Sequence, residues 1–454
     1  MPYTSLNPAN NQVLQHYASW DAPRLERALE QAHHAQQGWT QTSFAQRAEV
    51  LRKAAQHLLI QRDHYATLIT LEMGKPLREA RTEVEKCATV CDYYAQHGEE
   101  FMRAELVESD ATKSYVAYQA LGVVLAIMPW NFPFWQVFRA AAPALMAGNA
   151  LALKHAPNVP QCALAIEALF HDCGLPGGIF TNLMIEVEHA ADAIASPHIH
   201  AVTLTGSEGA GRKVAALAGQ HLKKCVLELG GSDPFIVLHD ADLEHSVNMA
   251  VASRFLNCGQ SCIAAKRFIL VPEIADAFLH LFKAKVEALQ LGDPLDEATQ
   301  IGPMARADLR DELHQQIVDS IAHGAIALSG CQPLDGAGFF YPPSILDRVT
   351  PSTRAYHEEL FGPVAIIIRA TCEEDALRIA NASRFGLGSS IWSRDTARAE
   401  RLAAEIQAGC TFINGMVKSD PRLPFGGVKA SGFGRELSRL GMHEFVNAKT
   451  VWIK

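Results

Sequence analysis

The chain has 454 residues, of which 48% are hydrophobic and 20% charged, with a formal net charge of −9 at pH 7. That length exceeds a single core and calls for two or three domains of roughly 100–200 residues each. Interspersed charges of net negative sign argue against nucleic acid or an acidic membrane as partner, and no apolar run reaches the ~20 residues of a membrane span. The ten cysteines are scattered along the chain, as free thiols of a reducing compartment are. The start, Met1-Pro2-Tyr3-Thr4-Ser5-Leu6-Asn7-Pro8, lacks the basic and apolar regions of a secretory signal. The expected location is cytoplasmic.

Residues 22–104 read as long amphipathic helices rich in Ala, Glu, Arg and His. From 112 onward, short apolar runs separated by helical stretches predict strands at 114–120, 121–128, 150–153, 200–204, 225–229 and 234–238. Helices at 134–146, 161–171 and 209–218 lie between them. A second series starts near Asp240, with strands at 266–271, 365–369, 389–392 and 410–413. Its predicted helices cover 241–254, 274–288, 373–382 and 396–406, and residues 445–454 read as an extended tail. Alternation of strand and helix predicts an α/β fold with parallel sheets covered on both faces.

Several residues carry chemical promise. Cys262 follows Asn257-Cys258-Gly259-Gln260-Ser261, a polar, glycine-containing turn that suits an accessible thiol nucleophile. The plain alternative is a buried, inert cysteine. Cys258 lies four residues earlier, and the pair could meet on a helical turn. Glu228 ends an apolar strand before Gly230-Gly231, where poor hydration raises a carboxyl pKa toward that of a general base; a strand-end ion pair is the alternative. Asn131, in Pro129-Trp130-Asn131-Phe132-Pro133, is either an oxyanion donor or a turn residue. Lys154 and the Thr205-Gly206-Ser207 turn each follow a strand and could meet ribose or phosphate. The Gly-x-Gly-x-x-Gly fingerprint is absent, and no ligand spacing predicts a metal site.

Taken in order, these motifs resemble the aldehyde dehydrogenase superfamily from about Asn7 to the C-terminus. Glu359-Leu360-Phe361-Gly362-Pro363 and Pro424-Phe425-Gly426-Gly427-Val428-Lys429 add to the resemblance. It implies two Rossmann-like parallel-sheet domains and a small β oligomerisation element. The dinucleotide-binding domain would comprise 1–101 and 121–230, the catalytic domain 231–428, and the oligomerisation element 102–120 with 443–454. A homodimer or homotetramer follows. The implied mechanism has Cys262 attack an aldehyde, with the oxyanion held by Asn131 and the Cys262 N–H. Hydride transfer to nicotinamide leaves a thioester, which water activated by Glu228 hydrolyses. By the same resemblance Trp130, Lys154, Pro157, Gly206, Ser207, Leu229, Glu359 and Phe361 form the cofactor site.

NAD-preferring members of the superfamily often place a glutamate three residues after the lysine that matches Lys154, and here that position is Pro157. NAD or NADP is therefore expected, without the acid that repels a 2′-phosphate. Within the superfamily, Lys154-His155-Ala156-Pro157-Asn158-Val159 and the run from Asn414 to Phe425 resemble bacterial succinate-semialdehyde dehydrogenases. That resemblance implies Arg139 and Ser419 as contacts for a distal carboxylate, with Lys418 adding charge; a structural ion pair is the alternative for Arg139. Other relatives carry a second arginine where this chain has Leu256. A broad-range aliphatic or aromatic aldehyde dehydrogenase is the competing expectation.

Overall fold

The computed structural model describes residues 3–454. Met1 and Pro2, which the sequence reading assigns to the dinucleotide-binding domain, lie outside the described residues. An antiparallel hairpin, Tyr3–Asn7 with Gln12–Tyr17, opens the described chain. Four helices follow, Ala22–Trp39, Phe44–Ile60, Arg62–Met73 and Leu77–Phe101. Asp21 caps the first through the Arg24 N–H, and Ser43 with Gln46 forms a capping box on the second.

The first large sheet has six strands in the order Gly432–Phe433, Lys224–Glu228, Ile199–Thr205, Val123–Met128, Ala150–His155, Phe180–Asn182. All pairings are parallel except the first. From Val123–Met128 the chain winds outward to Phe180–Asn182, then crosses back to Ile199–Thr205 on the other side. Strand order thus reverses between Val123–Met128 and Ile199–Thr205, and the carboxyl ends there open a crevice of the kind where such sheets bind ligands. Helices Trp135–Ala147, Pro160–Asp172 and Glu208–Gln220 make the crossovers.

The second sheet has seven strands, ordered Ile326–Ser329, Ser344–Asp347, Val364–Arg369, Ala265–Leu270, Asp233–Val237, Gly388–Trp392, Cys410–Ile413, with only Ile326–Ser329 antiparallel. Each sheet has its own apolar core, one built around Val124, Phe138 and Leu151, the other around Phe235, Phe268 and Ile366. A third sheet pairs Val446–Ile453 with Lys113–Ala120 over eight residues, and Glu105–Leu106 adds to its far side. It leaves Leu106, Val107, Trp452 and Ile453 exposed.

Most predicted elements are present, with ends shifted by a few residues. The hairpin at 3–17, the helix Ala307–Ala322 and the strands Phe180–Asn182, Ile326–Ser329 and Ser344–Asp347 were not expected. No helix among the described residues is long and apolar enough to cross a membrane.

Candidate active site

The crevice at the strand reversal is a cleft of about 640 Å3 lined by Ile127, Met128, Lys154, Leu204, Ser207 and Lys213, among others. Lys154 and Ser207, predicted from separate motifs, therefore meet in one place. Ser207 caps helix Glu208–Gln220, its Oγ accepting from the Ala210 N–H at 3.3 Å. None of the lining residues is acidic, although Glu188 lies close enough to strengthen Lys154's hold on its proton. Burial outweighs that effect and lowers the Lys154 pKa to about 8. His155 accepts from the Ala156 N–H through Nδ1, so its Nε2 carries the proton and faces the Pro133 carbonyl at 2.8 Å. That contact ties the end of this strand to the Asn131 loop.

From Ser207 the cleft continues past Gly230 to Glu359. Glu359 accepts from the Gly231 N–H at 3.1 Å and meets Lys266 at 3.3 Å. Phe361 lies edge-on to Trp130, with ring centroids 5.8 Å apart. Three expected cofactor residues sit otherwise. Pro157 is on an exposed turn while its neighbour Ala156 lines the cleft. Gly206 donates its N–H to the Glu228 carbonyl, and the Leu229 side chain is buried against Gly211.

The loop carrying Cys262 is held from several sides. Asn257 and Cys258 adopt φ of +56° and +54°, a region costly for residues with a Cβ. This left-handed turn breaks the helical spacing that would stack Cys258 on Cys262; Cys258 is buried, and both thiols are free. Arg254, fully buried, donates to the carbonyls of Gly259, Leu360 and Gly362, joining the Cys262 loop to the Glu359 loop. Lys266 donates to the Ser261 and Cys262 carbonyls at 2.8 and 2.9 Å. Asn131 Nδ2 donates to the Gln260 carbonyl at 3.1 Å, and Asn257 Nδ2 holds the Asn131 carbonyl at 2.7 Å. An amide carries two N–H groups, so one of Asn131's remains for a ligand.

Burial pushes the Cys262 thiol up to about 12, against the opposing pull of Arg139 and Lys266. The resting group is the thiol, and its thiolate share grows with pH. Iodoacetamide labelling of Cys262, followed by mass spectrometry, is expected to accelerate about tenfold per unit between roughly pH 7 and 10. A plateau below pH 9 would contradict this.

Glu228 is buried, and neither carboxyl oxygen has a hydrogen-bond partner. Burial, then the neighbouring Glu436, raises its pKa well above the usual range, with Arg139 and Arg435 opposing. Gly426 makes its room: a Cβ there would stand 2.6 Å from Glu228 Oε1. Arg139 influences both Glu228 and Cys262. The expectation for Arg139 was a carboxylate anchor. The structure instead gives its buried guanidinium an internal partner, Glu436, together with Thr205 Oγ1 at 3.2 Å. The reason is its place within helix Trp135–Ala147, whose residues are buried all round, so that an unpaired charge there would be costly. Ser419 Oγ accepts from Lys86 Nζ at 2.7 Å and from Trp135 Nε1 at 3.1 Å. Lys86, Lys266, Arg254 and Glu436 were not singled out from sequence, because each lies in a stretch without motif character.

A model of the aldehyde dehydrogenase family matches residues 1–451. The chain belongs to the aldehyde dehydrogenase family. Among curated relatives, a Synechocystis sp. protein named probable succinate-semialdehyde dehydrogenase [NADP(+)] is 50% identical, over the whole of both chains. An Escherichia coli protein named succinate semialdehyde dehydrogenase [NAD(P)+] Sad is 49% identical, covering 99% of this chain and 97% of its own. Among solved structures, succinic semialdehyde dehydrogenase from Streptococcus pyogenes in complex with NADP+ superposes with a TM-score of 0.98 at 38% identity, covering 99% of both chains. These neighbours bear out the expected α/β aldehyde dehydrogenase fold.

Proposed function

We propose that this aldehyde dehydrogenase oxidises succinate semialdehyde to succinate with NADP+ or NAD+, with Cys262 as nucleophile, Glu228 as general base and Asn131 as oxyanion donor. The observation that carries the mechanism is a free Cys262 thiol on a loop tied to the Asn131 amide and packed against Gly231, three residues beyond the buried, unpartnered Glu228 carboxyl. The two full-length relatives near 50% identity support the substrate and the cofactors.

The cofactor fits the residues present. The part of the cleft at the strand reversal offers Lys154 and Lys213 and has no acidic lining residue, whereas its continuation carries Glu208, Glu358 and Glu359. Lys154 would take the adenosine ribose or its phosphate, Ser207 the pyrophosphate and Glu359 the nicotinamide ribose. When bound, the dinucleotide accepts hydride. The chain's own residues do the rest. Once the Cys262 thiol has lost its proton to solvent, Sγ bonds to the aldehyde carbon as the C=O opens to an oxyanion, which the Asn131 amide and the Cys262 N–H stabilise. After oxidation, Glu228 takes a proton from the water that cleaves the thioester. The dinucleotide-binding and catalytic domains would correspond to the two sheets, and the third sheet, with its open edge and exposed Trp452 and Ile453, would join copies of the chain. A reducing, cytoplasmic setting suits the free thiols.

The apolar residues Phe132, Trp135 and Leu256 near the site favour a second reading, a broad-range aldehyde dehydrogenase. Comparing kcat/KM for succinate semialdehyde and butanal decides between them. A preference of roughly 100-fold for the semialdehyde is expected from a charged hydrogen bond to its carboxylate; equal values would leave the broad-range reading. For the cofactor, Pro157→Glu is expected to lower kcat/KM for NADP+ about tenfold more than for NAD+, through repulsion of the 2′-phosphate. An unchanged ratio would place discrimination elsewhere in the cleft.

A further inference from the structure

A substrate with a distal carboxylate needs a cation that is not already neutralised. Arg139 is matched with Glu436, and residue 256 is leucine. A small cavity of about 180 Å3 is lined by both Leu256 and Lys86, the latter on helix Leu77–Phe101. Its ammonium stands 4.1 Å from the centroid of the Trp135 ring and donates to Ser419 Oγ. No ion pair to Lys86 exists among the described residues, and the acids around it are engaged. Glu83 pairs with Lys75 and accepts the Phe134 and Trp135 N–H groups. Asp420 pairs with Arg422 at 2.6 Å, and Glu79 accepts the Asn257 N–H at 2.7 Å.

Ser419 sharpens the picture. Its oxygen already accepts from two donors, Lys86 Nζ and Trp135 Nε1. A hydroxyl has two acceptor positions and one O–H, so the O–H is what remains to offer. We propose that Lys86 is a specificity-determining residue of this enzyme, binding the substrate's distal carboxylate by charge while Ser419 donates its remaining O–H. The proposal rests on the succinate-semialdehyde reading. It also accounts for how a pocket without an arginine at position 256 draws an anion: the charge comes from helix Leu77–Phe101.

The pocket's charge depends on pH in a defined direction. Burial, then Arg139, lowers the Lys86 pKa to about 8, with Cys87, Glu83 and Asp420 opposing. Burial raises Glu79, on the same wall, to about 7, with Lys75 and Arg78 opposing. As pH rises from 6 to 9, Glu79 gains negative charge and Lys86 loses positive charge. Both changes disfavour a bound carboxylate.

The test measures kcat and KM for succinate semialdehyde and butanal with wild type, Lys86→Met and Lys86→Arg. In Lys86→Met the ratio of the two kcat/KM values is expected to fall about 30-fold, mainly through KM for the semialdehyde. Lys86→Arg should recover most of it. An equal loss on both substrates would make Lys86 a structural residue and overturn the proposal. A wild-type ratio near one would instead sink the succinate-semialdehyde reading, and this subsite with it. Wild type alone gives a second measurement should the methionine variant fail to fold. Inhibition of butanal oxidation by succinate should weaken from pH 7 to 9 more than inhibition by butyrate; equal profiles would overturn the assignment.

Discussion

Cys262→Ala is expected to lower aldehyde oxidation by roughly 10⁴-fold or more, the scale seen when a covalent nucleophile is removed. The reason is that no other thiol can take its place. Cys258 is buried behind a left-handed turn, and Cys410, which shares an electrostatic environment with both Glu228 and Cys262, belongs to a strand of the second sheet. Binding of NADP+, followed by tryptophan fluorescence, should change less than about threefold, because the cleft around Lys154 and Ser207 does not depend on the Cys262 sulfur. The loop itself should persist, since the contacts that hold it come from Lys266, Arg254 and Asn257. Retention of normal turnover would show that a different group attacks the aldehyde.

Glu228→Gln is expected to act on the second half of the reaction. Glutamine keeps the shape of the side chain but cannot take a proton from water, and general-base catalysis contributes about 10²–10⁴-fold. Neither oxygen of Glu228 holds a hydrogen bond that the change would break. The variant should therefore show a rapid burst of about one product equivalent per site and then slow turnover. Intact-mass spectrometry after acid quench should find the thioester on Cys262. The wild-type rate should climb with pH, because burial and Glu436 keep Glu228 protonated above the usual carboxyl range and only its ionised form accepts a proton. The glutamine variant should lose that part of the climb. A full steady-state rate without accumulated thioester would remove Glu228 from this role.

The elements legible in the sequence were those with a strong local pattern. Ala150–His155 and Ala265–Leu270 are buried along their whole length, and the apolar stretches within them, 150–153 and 268–270, mark them as strands although Lys154, His155, Lys266 and Arg267 interrupt the pattern. Ile326–Ser329 and Ser344–Asp347 have four residues each and flank a stretch rich in glycine and proline, which hides them. Helix Ala307–Ala322 buries few of its residues and presents mostly charged and polar ones, so its apolar period is faint. The site divides in the same way. Cys262, Glu228, Asn131, Lys154, Ser207 and Glu359 sit in motifs at the ends of strands or in their turns. Lys86 lies in a helix beside Glu83, Val84 and Cys87, and its relation to Ser419 spans 333 positions. Only packing reveals such a residue. The same holds for Glu436, whose contact with Arg139 turned an expected substrate ligand into an internal ion pair.

The two-residue strand Gly432–Phe433 has a bearing on how the enzyme is made. It closes the edge of the first sheet directly on Leu227 and Glu228, and a Cβ at Gly432 would stand 2.0 Å from the Leu227 carbonyl oxygen. Glu436, three positions later, neutralises Arg139. Ribosomes deliver chains from the N-terminus at about 5–20 residues per second, and domains tend to fold as they emerge. The first sheet can gather its parallel strands long before residue 432 leaves the exit tunnel. Until then its last edge is open, Arg139 lacks its carboxylate and Glu228 lacks its neighbouring wall. The surroundings of Glu228 and Arg139 are therefore completed only after residues 432–436 have been made, however early the parallel strands gather.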